Sequence, residues 1–280
     1  MLLDGKNSAK EYEDSLRLKI DQIKERSGRT PHLTVILVGN NEASKTYVSS
    51  KKKACLRVGM TADIRYLEED TKEEDLISLI ESLNRNDEID GILVQLPLPK
   101  HINESLVVNT VDPLKDVDGL TILNAGKVFT KTGGVAPATP KGIMMLLEKY
   151  NINVCGMHAV VVGRSNLVGL PIAKLLNDAD ATVTLCHRQT RHLSTFTKSA
   201  DLLVVAVGKK DMITKDMVKP GAIVIDVGIN RMGGKLYGDV SSEVSSIASY
   251  FTPVPGGVGP MTINALLHNL LELYEVRHDC

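Results

Sequence analysis

The chain has 280 residues, enough for one large or two ordinary domains with a buried core. Its 33 basic and 34 acidic residues leave a net charge of −1, so no global field draws it to nucleic acid or an anionic membrane, and any anionic partner must be held by local groups. The charged N-terminus MLLDGKNSAKEYEDSLR reads as neither signal peptide nor membrane anchor, no apolar run reaches the roughly 18 residues of a membrane span, and Cys55, Cys155, Cys186 and Cys280 form no C-x-x-C pair for a zinc site or disulfide framework.

Short β-branched runs alternate with longer amphipathic ones, as in parallel βαβ units. Strands are expected at Leu33 to Val38, Ala62 to Leu67 and Gly91 to Leu96, with helices at Ser44 to Val58, closed by Gly59, and at Lys72 to Asn84. From Lys127 to Lys141 the sequence KVFTKTGGVAPATPK has two Gly, two Pro and no sustained period, and reads as a linker at a lobe boundary. Alternation then resumes with strands at Ala159 to Val162, Ala181 to Leu185, Leu202 to Val207 and Ala222 to Val227, and a helix at Val168 to Asn177. This pattern predicts an α/β protein of two lobes, the second a doubly wound Rossmann-like sheet. A final helix, Thr262 to Val276, follows the rigid segment TPVPGGVGPMT and is expected to return to the first lobe.

AVVVGRSNLVGLP, from Ala159 to Pro171, is an apolar strand, a sharp turn at Gly163 and a helix that packs closely through Gly169. Such a turn aims backbone N–H groups and a helix N-terminus at a pyrophosphate, although Ser165 and Val168 replace the second and third glycines of G-x-G-x-x-G, and an ordinary strand-to-helix turn fits the same residues. The next strand ends at Cys186-His187-Arg188, where an NAD-specific fold would place an acid for the ribose hydroxyls. No acid stands there; Arg164, next to the Gly163 turn, and Arg188 are present instead, and guanidinium groups at these two places suit the extra phosphate of NADP, although each is also readable as a solvated surface charge.

In the first lobe, Tyr47 and Lys51 lie four apart on one helix face, able to support a flat substrate and carry a proton. The alternative is a core tyrosine beside a wet face of Lys51, Lys52 and Lys53, whose mutual repulsion would lower each pKa. Gln95 interrupts the apolar GILVQLPLP near the end of its strand, where it either orients a lysine or is satisfied by backbone. Asp116 and Asp118 in PLKDVDGL are either paired acids or turn formers.

Tyr47-x-x-x-Lys51, VQLPLP, KDVDGL, VVVGRSNLVGLP, VIDVGIN and TPVPGGVGPMT, in this order along almost the whole chain, resemble the methylenetetrahydrofolate dehydrogenase/cyclohydrolase family. The resemblance implies oxidation of 5,10-methylenetetrahydrofolate by NADP and hydrolysis of the methenyl product to 10-formyltetrahydrofolate. It also implies a place in one-carbon metabolism and purine biosynthesis and a homodimer, while the cysteine pattern fits a reducing cytoplasm and the charge balance a protein that binds neither nucleic acid nor membrane. A folate-binding catalytic domain would comprise residues 1–137 and 260–280, its folate facing the nicotinamide, and an NADP-binding domain residues 138–259.

By this resemblance Lys51 carries the proton of hydrolysis, Tyr47 stacks on the folate, Gln95 orients Lys51 and Asp118 bonds the pterin. Pro255, Gly256 and Gly257 contribute to the substrate site, and Gly163, Arg164, Ser165, Arg188, Thr139 and Ile229 to the cofactor site; no metal is expected. The sequence departs from the family in Pro137-Ala138-Thr139-Pro140, where Pro-Cys-Thr-Pro is usual, and in His268-Asn269-Leu270, where Lys-Asn-Thr is common. A dehydrogenase without efficient hydrolysis, another two-lobed dehydrogenase and an NADP-holding redox sensor are the competing readings. The ordered set of Lys51, Gln95 and Asp118 argues against the second of these.

Overall fold

The computed structural model describes residues 1–278; Cys280 lies outside them, and Cys55, Cys155 and Cys186 are free thiols. The chain divides into two compact units, Glu11–Ala138 with the chain from Leu266 (the first lobe) and Met1–Lys10 with Thr139–Ala265 (the second lobe). Among the described residues no helix is long and apolar enough to cross a membrane.

The first lobe contains most of α1 (Gly5–Ser27), then β1 (His32–Val38), α2 (Glu42–Arg57), β2 (Thr61–Leu67), α3 (Glu73–Asn84), β3 (Gly91–Val94), α4 (Glu104–Thr110) and α5 (Ile122–Thr130). Its parallel sheet has the order β2-β1-β3, with Leu33 opposite Ala62 on one side and Gly91 on the other. The central strand is the apolar HLTVILV, buried from Leu33 to Val38, as a strand covered on both faces must be. Leu76, Ile80 and Leu83 of α3 and Val107 of α4 close a core over Ile36, Val38, Ile92 and Val94.

The second lobe continues with α6 (Ala138–Lys149), β4 (His158–Val162), α7 (Gly169–Asp178), β5 (Thr182–Cys186), α8 (Leu193–Thr197), β6 (Leu202–Val205), β7 (Ile223–Asp226), β8 (Asn230–Met232), β9 (Lys235–Tyr237) and β10 (Tyr250–Phe251). Five parallel strands run in the order β10-β7-β6-β4-β5, the doubly wound arrangement expected, with its switch point between β4 and β6. β8 and β9 form a separate antiparallel hairpin through Gly233 and Gly234, both at positive φ as a two-residue turn of this hand requires. The last helix, α9 (Val258–His278), contributes its residues from Leu266 to the first lobe, where Asn269 Nδ2 donates to Val117 O at 2.8 Å and Arg277 Nη1 to Ile89 O at 2.8 Å.

The expected linker is shorter than its composition suggests. Lys127–Thr130 form the last turn of α5, and Ala138–Lys141 the first turn of α6. A proline within a first turn breaks no hydrogen bond, because the first N–H groups of a helix have no intrahelical acceptor, so Pro140 starts a helix here instead of excluding one. Pro260 lies in the same position in α9, which therefore begins at Val258, ahead of the expected Thr262. Strand β3 ends at Val94 rather than Leu96, although Gln95 N–H still donates to Ile36 O at 2.9 Å.

Candidate active site

In the first lobe, Asn41 caps α2 by accepting from Ala43 N at 3.0 Å and Ser44 N at 3.1 Å. The buried stripe of this helix is Ser44, Val48, Lys51 and Cys55, so Lys51 occupies a core position and is only 5% exposed, while Lys53 is exposed to solvent. This separates the three lysines that the sequence presents as one run. Lys51 Nζ donates to Gln95 Oε1 at 3.2 Å and lies 5.8 Å from the centroid of the half-buried Tyr47 ring. Gln95 in turn donates from Nε2 to Leu96 O at 2.7 Å, which fixes its amide with the oxygen toward the lysine.

Burial pushes the Lys51 pKa below its ordinary value, opposed by the Asp118 carboxylate. The cause is therefore desolvation, not the repulsion from Lys52 and Lys53 expected from the sequence. Burial also raises Asp118, against the pull of Lys51 and with a further push from Asp116, and raises the Tyr47 phenol, with Asp118 adding to the effect. The neighbouring Cys55 thiol is pushed up to about 12 and stays neutral.

The two aspartates of KDVDGL differ in their surroundings. Asp116 accepts from Leu120 N at 3.2 Å, Thr121 N at 2.9 Å and Asn124 Nδ2 at 3.0 Å, and is a turn former. Asp118 makes no hydrogen bond to another described residue, and its carboxylate is available to a ligand. Gly119, at φ +66°, has no room for a side chain: a Cβ would lie 2.4 Å from Val135 O. Thus Tyr47, Lys51, Gln95 and Asp118 form one electrostatic group in one lobe.

In the second lobe, Gly163 ends β4 at φ +122°, and a Cβ there would meet Ala206 O at 2.2 Å. A Cβ on Gly169 would meet Gly163 O at 2.1 Å, so both glycines are needed for α7 to start against the turn. Ser165 Oγ accepts from Val168 N at 3.2 Å, whereas the backbone N–H groups of Arg164, Ser165, Asn166 and Leu167 make no hydrogen bond among the described residues. Arg164 and Arg188 are exposed and make no ion pair among these residues. Free N–H groups on a glycine-shaped turn, with two unpaired guanidinium groups in the same lobe, fit a phosphorylated dinucleotide.

The remaining expected residues also fall in the second lobe. Thr139 lies at the start of α6 with its hydroxyl 3.1 Å from that of Thr262, Ile229 is exposed after β7, and Pro255 is exposed. Gly256 accepts from Lys6 N at 3.0 Å, and Gly257 fits where a Cβ would lie 2.6 Å from Pro253 O. Pro255, Gly256 and Gly257 thus belong to a different compact unit from Tyr47, Gln95 and Asp118.

Residues 3–118 match the model of the tetrahydrofolate dehydrogenase/cyclohydrolase catalytic domain, and residues 137–278 that of the NAD(P)-binding domain of the same family. The chain is 50% identical to the bifunctional protein FolD of Acholeplasma laidlawii over 275 residues, 98% of each chain. It superposes on the crystal structure of the bifunctional FolD enzyme of Campylobacter jejuni with a TM-score of 0.97, 46% identity and 99% of both chains covered. The FolD dehydrogenase-cyclohydrolase of Trypanosoma brucei, solved with NADP and an inhibitor, is 34% identical, with a TM-score of 0.96 over 100% of this chain and 99% of that one. The chain belongs to the tetrahydrofolate dehydrogenase/cyclohydrolase family.

Several residues of this dehydrogenase/cyclohydrolase family member support the site without standing out in the sequence. Asn269, fully buried in α9, donates to Val117 O at 2.8 Å and Ala136 O at 3.0 Å, tying the residue before Asp118 to the Val135–Ala136 backbone that packs against Gly119. Its signal is an amide within the leucine-rich stretch Ala265 to Leu271, the same kind of interruption that drew attention to Gln95. Asp226 and Asp239 are 2% and 0% exposed in the second lobe. Asp226 lies within the expected strand Ala222 to Val227 and the motif VIDVGIN, whereas no sequence motif marks Asp239.

Proposed function

We propose that the protein oxidises 5,10-methylenetetrahydrofolate to 5,10-methenyltetrahydrofolate with NADP and hydrolyses the product to 10-formyltetrahydrofolate. The observation that carries this reading is a buried lysine held by an amide oxygen instead of a carboxylate. A carboxylate partner would keep the ammonium protonated, whereas desolvation beside a neutral amide favours the free amine that a proton carrier needs.

In hydrolysis, water adds to the methenyl carbon and Lys51 Nζ takes a proton from it. Lys51 then returns a proton to the departing ring nitrogen as its bond to that carbon breaks, while the carbinol proton passes to solvent and leaves the formyl group. Gln95 keeps Nζ aimed through its fixed oxygen. Tyr47 supports the flat ring system, and the unpartnered carboxylate of Asp118 accepts from the pterin N–H groups. For oxidation the cation formed is resonance-stabilised, so placement matters more than a strong base. NADP, when bound, supplies the hydride acceptor. Gly163, Ser165 and Thr139 would hold its pyrophosphate and neighbouring groups, Arg164 and Arg188 its additional phosphate, and Ile229 its ring face. Pro255, Gly256 and Gly257 are assigned to the substrate site.

The same proposal assigns residues 1–137 and 260–280 to folate binding and 138–259 to NADP binding, and describes the protein as a cytoplasmic homodimer. The test is to mix purified protein with methylenetetrahydrofolate and NADP and follow the methenyl absorbance, which should rise and then decay. No absorbance change would overturn the reading, and faster turnover with NAD would overturn the cofactor assignment.

A further inference from the structure

The second lobe buries two carboxylates, Asp226 and Asp239, that make no ion pair among the described residues. Asp239 is held instead by dipoles. Its Oδ2 accepts from Val207 N at 2.7 Å and Gly208 N at 2.9 Å, and its Oδ1 from Lys209 N at 2.8 Å and Asn230 Nδ2 at 2.9 Å. Asp226 secures the segment that presents it: Oδ1 accepts from Gly228 N and Asp239 N, both at 2.9 Å, and Oδ2 from Val240 N at 3.0 Å. The packing leaves no slack, since a Cβ on Gly228 would lie 2.3 Å from Asp239 Oδ1 and one on Gly238 would lie 1.7 Å from Asp226 Oδ2.

The position of this carboxylate in the sheet gives it a consequence beyond stability. Val207–Lys209 follow β6, whose neighbour β4 ends in the Gly163 turn. In a doubly wound sheet the ligand crevice opens between the loops that follow these two strands. The two loops start side by side, with Ala206 N donating to Val162 O at 2.8 Å and no space between Gly163 and Ala206 O for a Cβ, so the β6 loop forms one wall of the phosphate-binding turn. Asn230 adjoins Ile229, and its amide also reaches Gly238 O at 3.2 Å.

We infer that Asp239 is a positioning residue for NADP, clamping the loop after β6 and the segment after β7 into the shape that receives the cofactor. This rests on the reading of the second lobe as the NADP site. An asparagine at 239 is nearly isosteric, but its amide nitrogen would face N–H donors now met by one carboxylate oxygen, freeing the loop.

The experiment measures, for wild type, Asp239→Asn and Asn230→Ala, the KM for NADP, kcat at saturating NADP, NADP affinity by direct titration, and hydrolysis of added methenyltetrahydrofolate without cofactor. Asp239→Asn should raise KM and Kd for NADP about 10-fold or more, with kcat changed less than about threefold and hydrolysis within about twofold of wild type, since buried donors left unmatched cost about 1–3 kcal/mol. Asn230→Ala, which removes one donor and keeps the carboxylate, should raise KM about threefold. Unchanged NADP affinity in both variants, with effects confined to thermal stability, would overturn the inference. If Asp239→Asn loses both activities together through misfolding, Asn230→Ala decides: raised KM with normal hydrolysis supports the clamp, and unchanged KM rejects it. A wild type that binds no NADP rejects the site assignment itself, and this is read before either variant.

Discussion

Replacing Lys51 with methionine should abolish hydrolysis of methenyltetrahydrofolate while sparing both the fold and the hydride step. Methionine is unbranched and fills the channel taken by the lysine stem beside Val48 and Cys55, leaving out only the ammonium. The variant loses the 3.2 Å bond to Gln95 Oε1, but Gln95 is half-buried and water can replace the donor. The burial that lowers the lysine pKa works in the opposite direction. A lysine whose folded pKa lies below its unfolded value destabilises the fold when protonated, and this cost disappears only as pH rises through the folded pKa toward the unfolded one. Methionine removes that cost throughout the neutral range, so the melting temperature should move by only a few degrees, about 1 kcal/mol in either direction. General acid–base catalysis by a positioned group contributes roughly 10²- to 10⁴-fold, and hydrolysis should fall by that factor. The assay follows decay of added methenyltetrahydrofolate without cofactor, beside a second measurement of methenyl formation with NADP. A variant hydrolysing at more than about one-tenth of the wild-type rate would falsify the assignment of Lys51 as proton carrier.

Gln95→Glu places a carboxylate where the amide oxygen now meets Nζ at 3.2 Å, raising the Lys51 pKa, so the limb of the hydrolysis pH profile that reports the free amine should move up by about 1–3 units; an unmoved limb would show that this contact does not tune the lysine. Arg164→Ala and Arg188→Ala should each raise the KM for NADP about five- to thirtyfold and leave that for NAD unchanged, because one charged hydrogen bond to an exposed phosphate is worth about 1–2 kcal/mol. Equal effects on the two cofactors would remove the phosphate role. Asp90, with no exposed surface, accepts from His32 N at 2.9 Å and His278 Nε2 at 3.0 Å and pairs with Arg29 and Arg277. Asp90→Asn should therefore cost about 2–4 kcal/mol, a clear drop in the unfolding midpoint, and an unchanged midpoint would mean that the network around Asp90 contributes nothing to holding α9.

Order and type of the long elements were legible because strand and helix patterns alternate from Leu33 to Asn84 and apolar strand runs recur from Ala159 to Val227. Helix α1 was not assigned: its apolar residues Leu16, Ile20 and Ile23 are buried at helical spacing, yet charges surround them in sequence and mask the period. The proline-containing first turns of α6 and α9 look like loops to a reading that treats every proline as a break. In the site, geometry supplied what spacing could not. Sequence places Lys51 beside Lys52 and Lys53 as equals, and only the packing of α2 shows which one lies in the core. Likewise Asp116 and Asp118 are equivalent in KDVDGL until the N–H groups of Leu120 and Thr121 turn toward the first and away from the second. Asp239 was the least legible, because its role depends on three amides that lie about thirty residues earlier in the chain.

Lys51 in the first lobe and Asp239 in the second are buried groups held in opposite ways, and each way suits its part of the reaction. The first lobe gives Lys51 a single neutral hydrogen-bond partner, and burial there favours its free amine against the opposing pull of Asp118. The second surrounds Asp239 with three backbone N–H groups and an amide, which hold its carboxylate group in one place. At Asp226, burial outweighs three backbone N–H bonds and pushes the carboxyl up to about 6, yet its partners are likewise fixed backbone groups rather than mobile side chains. A proton carrier requires the first arrangement, and a cofactor cradle that must keep its shape requires the second. Changes at Lys51 should therefore act on the rate of hydrolysis, and changes at Asp239 on the affinity for NADP, with little exchange between the two effects.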